Sequence, residues 1–374
     1  MWTVPLLLAC GGGTTPGTAT SGLATAATAD SGTPGTSDTS SDATPDEGAW
    51  GLLSLNLHCL KLDGTSFASG AERWEAIAAE VERGGADVLA LQEVCVQSGG
   101  TDALAELQGA LEGATGDTWQ AAYAFAHVAW EGTPDEADEG VALLSRVGLE
   151  EPTELGYVDP GALRRVGLFA RLDDGTVVAT VHLDVDAAAS REAQARQTAS
   201  QVLAAAGTLD VVIAGDLNDR LGSPTHGAFG SMGYDDASDG LATPRIDYAF
   251  AHRGGRWAVA DQALWFVGAE AVSDHPGVFV AFEERVPDDV PVTRVVAEVD
   301  VGFGHTVSVR GDTEPLSWDQ GWWAWPVQGN RWELVLTEVD GSFVFKTLVD
   351  DVTWQSGDDV PGEAGRDNVT VPVY

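Results

Sequence analysis

The sequence predicts an α/β domain followed by a smaller all-β unit. Three observations carry that expectation. Short apolar runs ending in Gly or a polar residue recur between residues 50 and 284, the pattern of strands buried on both faces. Stretches with helical apolar spacing and N-cap residues lie between several of them, and such alternation marks an α/β domain. After Glu284 the helical spacing stops, and short alternating segments with Gly and Asp turns run to Tyr374, as in a small β-sandwich.

In chain order, residues 52–57 (LLSLNL) form an apolar run with Asn56 near its end and His58 just after, read as a central strand. Ser69 and Glu72 have capping-box spacing, and Trp74, Ile77, Ala78 and Val81 then share one helical face until Gly84 and Gly85 stop it. Residues 87–91 (DVLAL) make a second buried strand, ending in Gln92 and Glu93. In 101–113, Leu104, Leu107 and Leu111 fall in helical register. Residues 140–144 follow Glu139, and 176–182 (TVVATVH) end in His182 with Asp184 beyond. An Ala/Gln/Arg-rich helix is expected over 190–206.

The stretch 211–219 (VVIAGDLND) follows, four apolar residues running into Gly215 and a polar cluster. Asp216 and Asn218 are two apart, so on extended backbone they point the same way. Residues 245–250 (RIDYAF) carry Asp247 inside a strand, and Asp274 and His275 precede the last apolar run, 277–282. Six strand ends therefore carry Asn56, Glu93, His182, Asp216 with Asn218, Asp247, and Asp274 with His275. Singly, each reads as a turn residue or a satisfied polar group. Gathered at one end of a sheet, so many polar groups would be costly to bury without an ion or a function.

Composition narrows the field. With 374 residues, 44% hydrophobic and 13 Trp, the chain can fold as one large domain plus a smaller one. The formal net charge is -39, from 19 basic and 58 acidic residues. Such a surface repels polyanions, suits a saline or calcium-rich setting and argues against a broad nucleic-acid-binding face. No stretch is long enough to span a bilayer. The opening ten residues, MWTVPLLLAC, are apolar and end at Cys10, which resembles the lipobox of bacterial lipoproteins, where the cysteine is acylated. Residues 11–48, rich in Thr, Ser, Gly and Asp, cannot bury enough apolar surface to fold and read as a disordered tether. The resemblance implies export, as an outer-membrane or cell-surface lipoprotein or a secreted protein, with the membrane met only through that lipid. Cys59 and Cys95 leave two readings open, a disulfide between neighbouring strand ends or two semi-buried thiols.

The blocks LNLHC, LALQEV, EGVALLSR, TVHLD, AGDLND, RIDYAF and SDHPG, in this order over residues 50–284, resemble the endonuclease/exonuclease/phosphatase family. The resemblance implies a four-layer α/β/β/α sandwich over 49–285 with the site at one end; separately, the chain is expected to be a monomer. The resemblance makes Glu93 the main ligand of a divalent metal (Mg²⁺, or Mn²⁺ or Ca²⁺), with Asn56 and Asp274 beside it. It gives Asp216 and Asn218 the attacking water. It gives His275, held by Asp247, the scissile phosphate and a proton, with His182 the second phosphate-facing imidazole and Glu139 the carboxylate that orients it.

The chemistry is consistent by itself. Mg²⁺ prefers a few oxygen ligands, and a phosphodiester needs its developing charge neutralised and a water held in line. The cysteines form no zinc pattern, and neither a Gly-rich phosphate loop nor a serine elbow is present. The expected activity is metal-assisted hydrolysis of a phosphoester, of the nuclease or phosphodiesterase type. A sphingomyelinase-like lipid phosphodiesterase, a phosphatase of small esters, and a non-catalytic surface protein that binds glycans are the alternatives.

Within 286–374, the run VSVRGDTEPLSWDQG, then WELVL, FVFKTLVDD, VTWQSG and Asn368, resembles the starch-binding carbohydrate-binding modules. That resemblance makes Trp318 and Trp354 sugar-stacking faces, Lys346 a polar sugar contact, and a polysaccharide the partner. The other reading, with both indoles in the sandwich core, stays open at this point.

Overall fold

Strands that are apolar on both faces must be covered on both sides, and that requirement generates the layers. The computed structural model describes residues 48–374; Cys10 and the tract up to residue 47 lie outside the described residues. The chain lays down β1 (Trp50–Asn56), α1 (Gly70–Gly84), β2 (Val88–Val96), α2 (Ala103–Thr115), β3 (Gln120–Ala129) and β4 (Ala137–Ser145). It continues with β5 (Glu150–Gly156), β6 (Val166–Arg171), β7 (Val177–His182), α3 (Ala188–Ala206), β8 (Val211–Asp216) and α4 (Pro224–Ser231). Then come β9 (Tyr234–Asp236), β10 (Asp247–His252), β11 (Trp257–Trp265) and β12 (Gly277–Glu284).

These strands form two six-stranded sheets, ordered β11-β12-β1-β2-β4-β3 and β5-β6-β7-β8-β10-β9. One row from each sheet meets in the middle, with Leu52, Val88, Ala90 and Val280 sharing a core with Val178, Val212 and Ala249. The other row of the first sheet, including Leu53, Leu55 and Leu89, is covered by Ile77, Val81 and Leu107 of α1 and α2. On the second sheet, Ala179, Val181 and Ile213 pack against Ala195, Ala199 and Val202 of α3 and Phe229 of α4. The expected α/β/β/α sandwich is the fold observed.

The helix signals act as expected, with small shifts. Ser69 Oγ accepts from the Glu72 N–H at 3.3 Å, and the Glu72 carboxylate accepts from Ala68 N–H at 2.9 Å. Helix α3 starts at Ala188, two residues before the sequence pattern does. Asp184 Oδ1 satisfies the N–H groups of Asp186 and Ala187 there, at 2.9 and 2.6 Å.

Past Glu284 the chain forms β13 (Thr293–Glu298), β14 (Val307–Gly311), β15 (Trp322–Trp323), β16 (Trp325–Gln328) and β17 (Arg331–Leu336), then β18 (Ser342–Val349), β19 (Thr353–Trp354), β20 (Val360–Glu363) and β21 (Asp367–Thr370). Two sheets result, β16-β17-β13-β21 and β15-β14-β18-β19, with β20 also paired to β18. They cover the second side of α3. The Gln201 side chain donates to Ala324 O at 2.8 Å, and the Arg196 guanidinium lies 3.8 Å from the centre of the Trp322 ring. One apolar core runs from β7 and β8 through α3 into Val295, Val309, Leu334 and Phe345. This explains the composition of α3: flanked by two layers, it uses Ala, Ser, Thr and Gln, with Val202 and Leu203 as its only large aliphatic residues. The described residues lie in a single compact unit.

Urea unfolding monitored by tryptophan fluorescence and by circular dichroism is therefore expected to give coincident transitions. Trp322→Ala should destabilise the whole unit by about 3–5 kcal/mol. Two well-separated transitions would contradict the shared core.

Candidate active site

Strand register puts the polar residues in rows. Parallel pairing of β7 with β8 sets His182 opposite Asp216, and antiparallel pairing of β8 with β10 sets Asp247 opposite the same residue. In the facing sheet, parallel pairing of β1 with β2 sets Asn56 opposite Gln92. The β2–β4 ladder then slips between Leu91 and Val94, a bulge containing Glu93 at φ 48°. Bulges re-aim side chains, and this one brings Glu93 to Asn56. Gly215 (φ 147°) is obligatory on β8 beside the His182–Asp216–Asp247 row, because a Cβ there would overlap the backbone of Val181.

The Asn56 side chain is fully buried and joins the two sheets. Its Nδ2 donates to Glu93 Oε1 at 3.0 Å and to Asp216 Oδ2 at 3.1 Å, while its Oδ1 accepts from His58 N–H at 2.9 Å. Asp216 Oδ1 accepts from Asn218 N–H at 2.7 Å, and Asn218 Nδ2 donates to Leu183 O at 2.9 Å. His275 Nδ1 donates to Asp247 Oδ2 at 2.9 Å and lies 3.7 Å from Asp216 Oδ2. His182 Nε2 is 3.7 Å from Asp216 Oδ2 and 4.0 Å from Glu93 Oε1. Asp274 Oδ1 lies 3.5 Å from His58 Nδ1. The residues scattered from Asn56 to His275 thus meet in one cluster.

Glu139 takes a different place from the one expected. It meets Arg165, whose Nη1 lies 3.4 Å from Glu139 Oε1 and 3.1 Å from His182 Nδ1, so the arginine stands between carboxylate and imidazole. Arg165, His58 and His127, the last 3.7 Å from Glu139, are neighbours to which the sequence reading gave no role. Arg165 precedes an apolar strand, where a basic residue has no periodic signal; His58 lies two residues past Asn56, and its spacing was the available clue.

Burial raises both Asp216 and Asp247, and the Asp247 charge raises Asp216 further. Burial alone would lower His275, but its hydrogen bond to Asp247 and the charges of Asp247, Asp216 and Asp274 bring it up to about 10. Burial and then the Arg165 charge push His182 well below its ordinary value. One imidazole is therefore charged at neutral pH and the other is neutral.

The donor set suits a divalent cation. Asn56 engages Glu93 through Oε1 only, and the Asp274 contacts to Ser273 and His58 both use Oδ1, so each carboxylate keeps a second oxygen outside these contacts. Asp216, Asp247 and His275 also bring ligand atoms within 4.8 Å of one another. Cys59 and Cys95 are joined in a disulfide, Cα to Cα 4.9 Å, which ties the segment after Asn56 to the one after Glu93. Non-glycine residues with positive φ gather here, at His58 (47°), Cys59 (54°), Glu93 (48°) and Asn218 (51°), as held strain does at functional sites.

Far along the chain from this chemistry, Trp318 and Trp354 lie with ring centroids 6.2 Å apart, tilted 32°. Trp354 is 41% exposed and Arg310 stands 5.2 Å from its ring centre, so that indole is outside the sandwich core. Lys346 donates to Gly357 O at 2.7 Å and Gln355 O at 3.3 Å.

A two-sheet sandwich thus gathers carboxylates, carboxamides and imidazoles at one end. Residues 53–275 match the model of the Endonuclease/Exonuclease/phosphatase family, and the chain belongs to that family. Its enzymes hydrolyse phosphoesters and generally use divalent metals. Among solved structures, an endonuclease/exonuclease/phosphatase from Beutenbergia cavernae is similar at TM-score 0.51 and 17% identity, covering 84% of this chain and 100% of its own. A family protein from Leptotrichia buccalis has TM-score 0.47 and 17% identity, over 63% of this chain and 99% of its own. A mannosyl-6-phosphatase from Bacteroides thetaiotaomicron has TM-score 0.44 and 15% identity, over 62% and 99%. No curated protein matches the chain.

The His275–Asp247 pair makes a pH prediction. A raised imidazole pKa keeps the charge at neutral pH and releases it as pH rises toward about 10. Any activity that needs the imidazolium should fall on that alkaline limb. Asp247→Asn removes the hydrogen bond and the charge that hold the proton, so the limb should move to lower pH in a kcat/KM profile. An unmoved limb would assign it to another group.

Proposed function

We propose that this protein is an exported, divalent-metal-dependent phosphohydrolase of the phosphodiesterase type. The observation that supports it best is the Asn56 amide, which holds Glu93 and Asp216 together from opposite sheets beside the His275–Asp247 pair. Glu93 and Asp274, with Asn56 adjacent, are the residues that would hold the cation, Mg²⁺ or Mn²⁺ or Ca²⁺. Bound there, the cation would neutralise charge developing on a phosphoryl oxygen. Asp216, steadied by Asn56 and by the Asn218 N–H, orients a water and takes its proton. Asn218 keeps the turn in the geometry that this water needs. His275 places a positive charge on the phosphoryl group and can give a proton to the leaving oxygen, with Asp247 fixing its tautomer. His182 adds a neutral donor.

The acidic surface favours a small phosphodiester over a nucleic-acid backbone, because binding a polyanion depends on clustered Lys and Arg. Export is supported by the apolar residues 1–10 and by the Cys59–Cys95 disulfide, a bond that persists in oxidising compartments. A lipid anchor at Cys10 belongs to the same proposal. The exposed Trp354 beside Trp318 favours one additional role, stacking on a polysaccharide, with Lys346 at its edge.

Hydrolysis of bis(p-nitrophenyl) phosphate by the full chain with Mg²⁺ or Mn²⁺ should be abolished by EDTA and restored by excess metal. Asp216→Ala and His275→Ala should each lower kcat by at least about 10³-fold while leaving the circular dichroism spectrum unchanged. Metal-independent turnover, or retained turnover in either variant, would remove the mechanism. On a starch column, Trp354→Ala should release a protein that the wild type retains; equal elution of the two would remove the polysaccharide role.

A further inference from the structure

Arg165 is a cation in a place that needs explaining. Its side chain is 5% exposed, and a guanidinium taken out of water normally takes a close carboxylate as partner. Here the carboxylate contact, to Glu139, is long at 3.4 Å, and Nε is buried without a hydrogen-bond partner. The shorter contact is to an imidazole nitrogen, His182 Nδ1, at 3.1 Å. The loop is anchored for this purpose: Arg165 N–H donates to Pro160 O at 2.9 Å, and Ala162 N–H donates to Asp184 Oδ2 at 3.2 Å.

A guanidinium has donors and no acceptor. His182 Nδ1 must therefore be the acceptor, which leaves the ring hydrogen on Nε2, the nitrogen that faces Asp216 and Glu93. The other charged and titratable groups around the ring are His127 on β3, Glu139 on β4 and His275 before β12.

Resting on the phosphohydrolase reading, we infer that Arg165 is a positioning residue that holds His182 in the Nε2–H tautomer, its donor aimed at a phosphoryl oxygen. The two imidazoles then divide the work. His275 carries charge and proton, whereas His182 only donates a hydrogen bond and loses no proton in the cycle. The arginine behind it polarises the ring, so the Nε2–H bond strengthens as negative charge develops on the phosphoryl oxygen. Glu139 holds Arg165 from the other side, so that carboxylate acts on the imidazole only through the guanidinium.

The test is nitrogen NMR on the full chain labelled with ¹⁵N-histidine, with His182 assigned by a His182→Asn control. The wild type should show the neutral Nε2–H tautomer, unchanged between about pH 5.5 and 8.5, the range in which an ordinary histidine titrates. Arg165→Gln should release the ring to exchange tautomers or titrate in that range. Arg165→Lys, which keeps a charged donor, should preserve the wild-type signal at least in part. On a diester substrate, Arg165→Gln should lower kcat about 100-fold with KM changed only a few-fold, and Arg165→Lys should recover some of the loss. An Nδ1–H tautomer or a titrating His182 in the wild type overturns the inference, whether or not Arg165→Gln folds. So does an unchanged kcat in a folded Arg165→Gln. A wild type that turns over no phosphoester defeats the hydrolase reading and leaves the tautomer measurement standing.

Discussion

Two carboxylates on facing sheets, Glu93 and Asp216, are held beside one another by the NH₂ group of Asn56. Everything else at the site depends on that bridge. Two carboxylates brought together where water is partly excluded repel one another, and each buried oxygen left without a donor adds a further cost. A single planar amide answers both problems, because its two hydrogens diverge toward the two sheets. Its own oxygen is turned away by the His58 N–H, which settles which end of the amide faces the acids.

The bridge makes demands on the surrounding chain. β1 must run in register with β2, so that Asn56 sits opposite Gln92, and Leu57 and Cys59 extend the match by donating to Gln92 O and Glu93 O at 2.8 and 3.0 Å. β2 must bulge to turn Glu93 inward, and the disulfide pins the two segments just beyond. On the opposite sheet β8 must come close to β7, which the missing side chain of Gly215 permits. Beneath the cluster, Gln92 Nε2 donates across the inter-sheet core to Thr180 Oγ1 at 3.0 Å, a second polar tie between the layers. Left-handed backbone at four non-glycine residues is the strain that these constraints leave behind.

Much of this was legible in the residues. Apolar runs such as 211–214 announced strands, Ser69 with Glu72 announced a helix start, and the polar residues at strand ends announced a cluster, because local chemistry fixes each signal. The place of Arg165 between Glu139 and His182 was not legible. Its importance comes from a loop that folds over the strand ends, and nothing in its neighbours' spacing encodes that. The second covered face of α3 was likewise hidden, since a helix of Ala, Ser, Thr and Gln looks like a solvated one until a layer is placed on it. The indole positions left two readings open in sequence for a related reason: alternation along a short strand names two faces, and only packing says which is the inner one.

The shared core of α3 and the C-terminal sheets also sets a mechanical property. Two modules on a flexible linker meet at a concentration governed by linker length. Here the C-terminal sheets and the α/β sandwich share one apolar core through α3, so the spacing between them is set by side-chain packing and not by linker length.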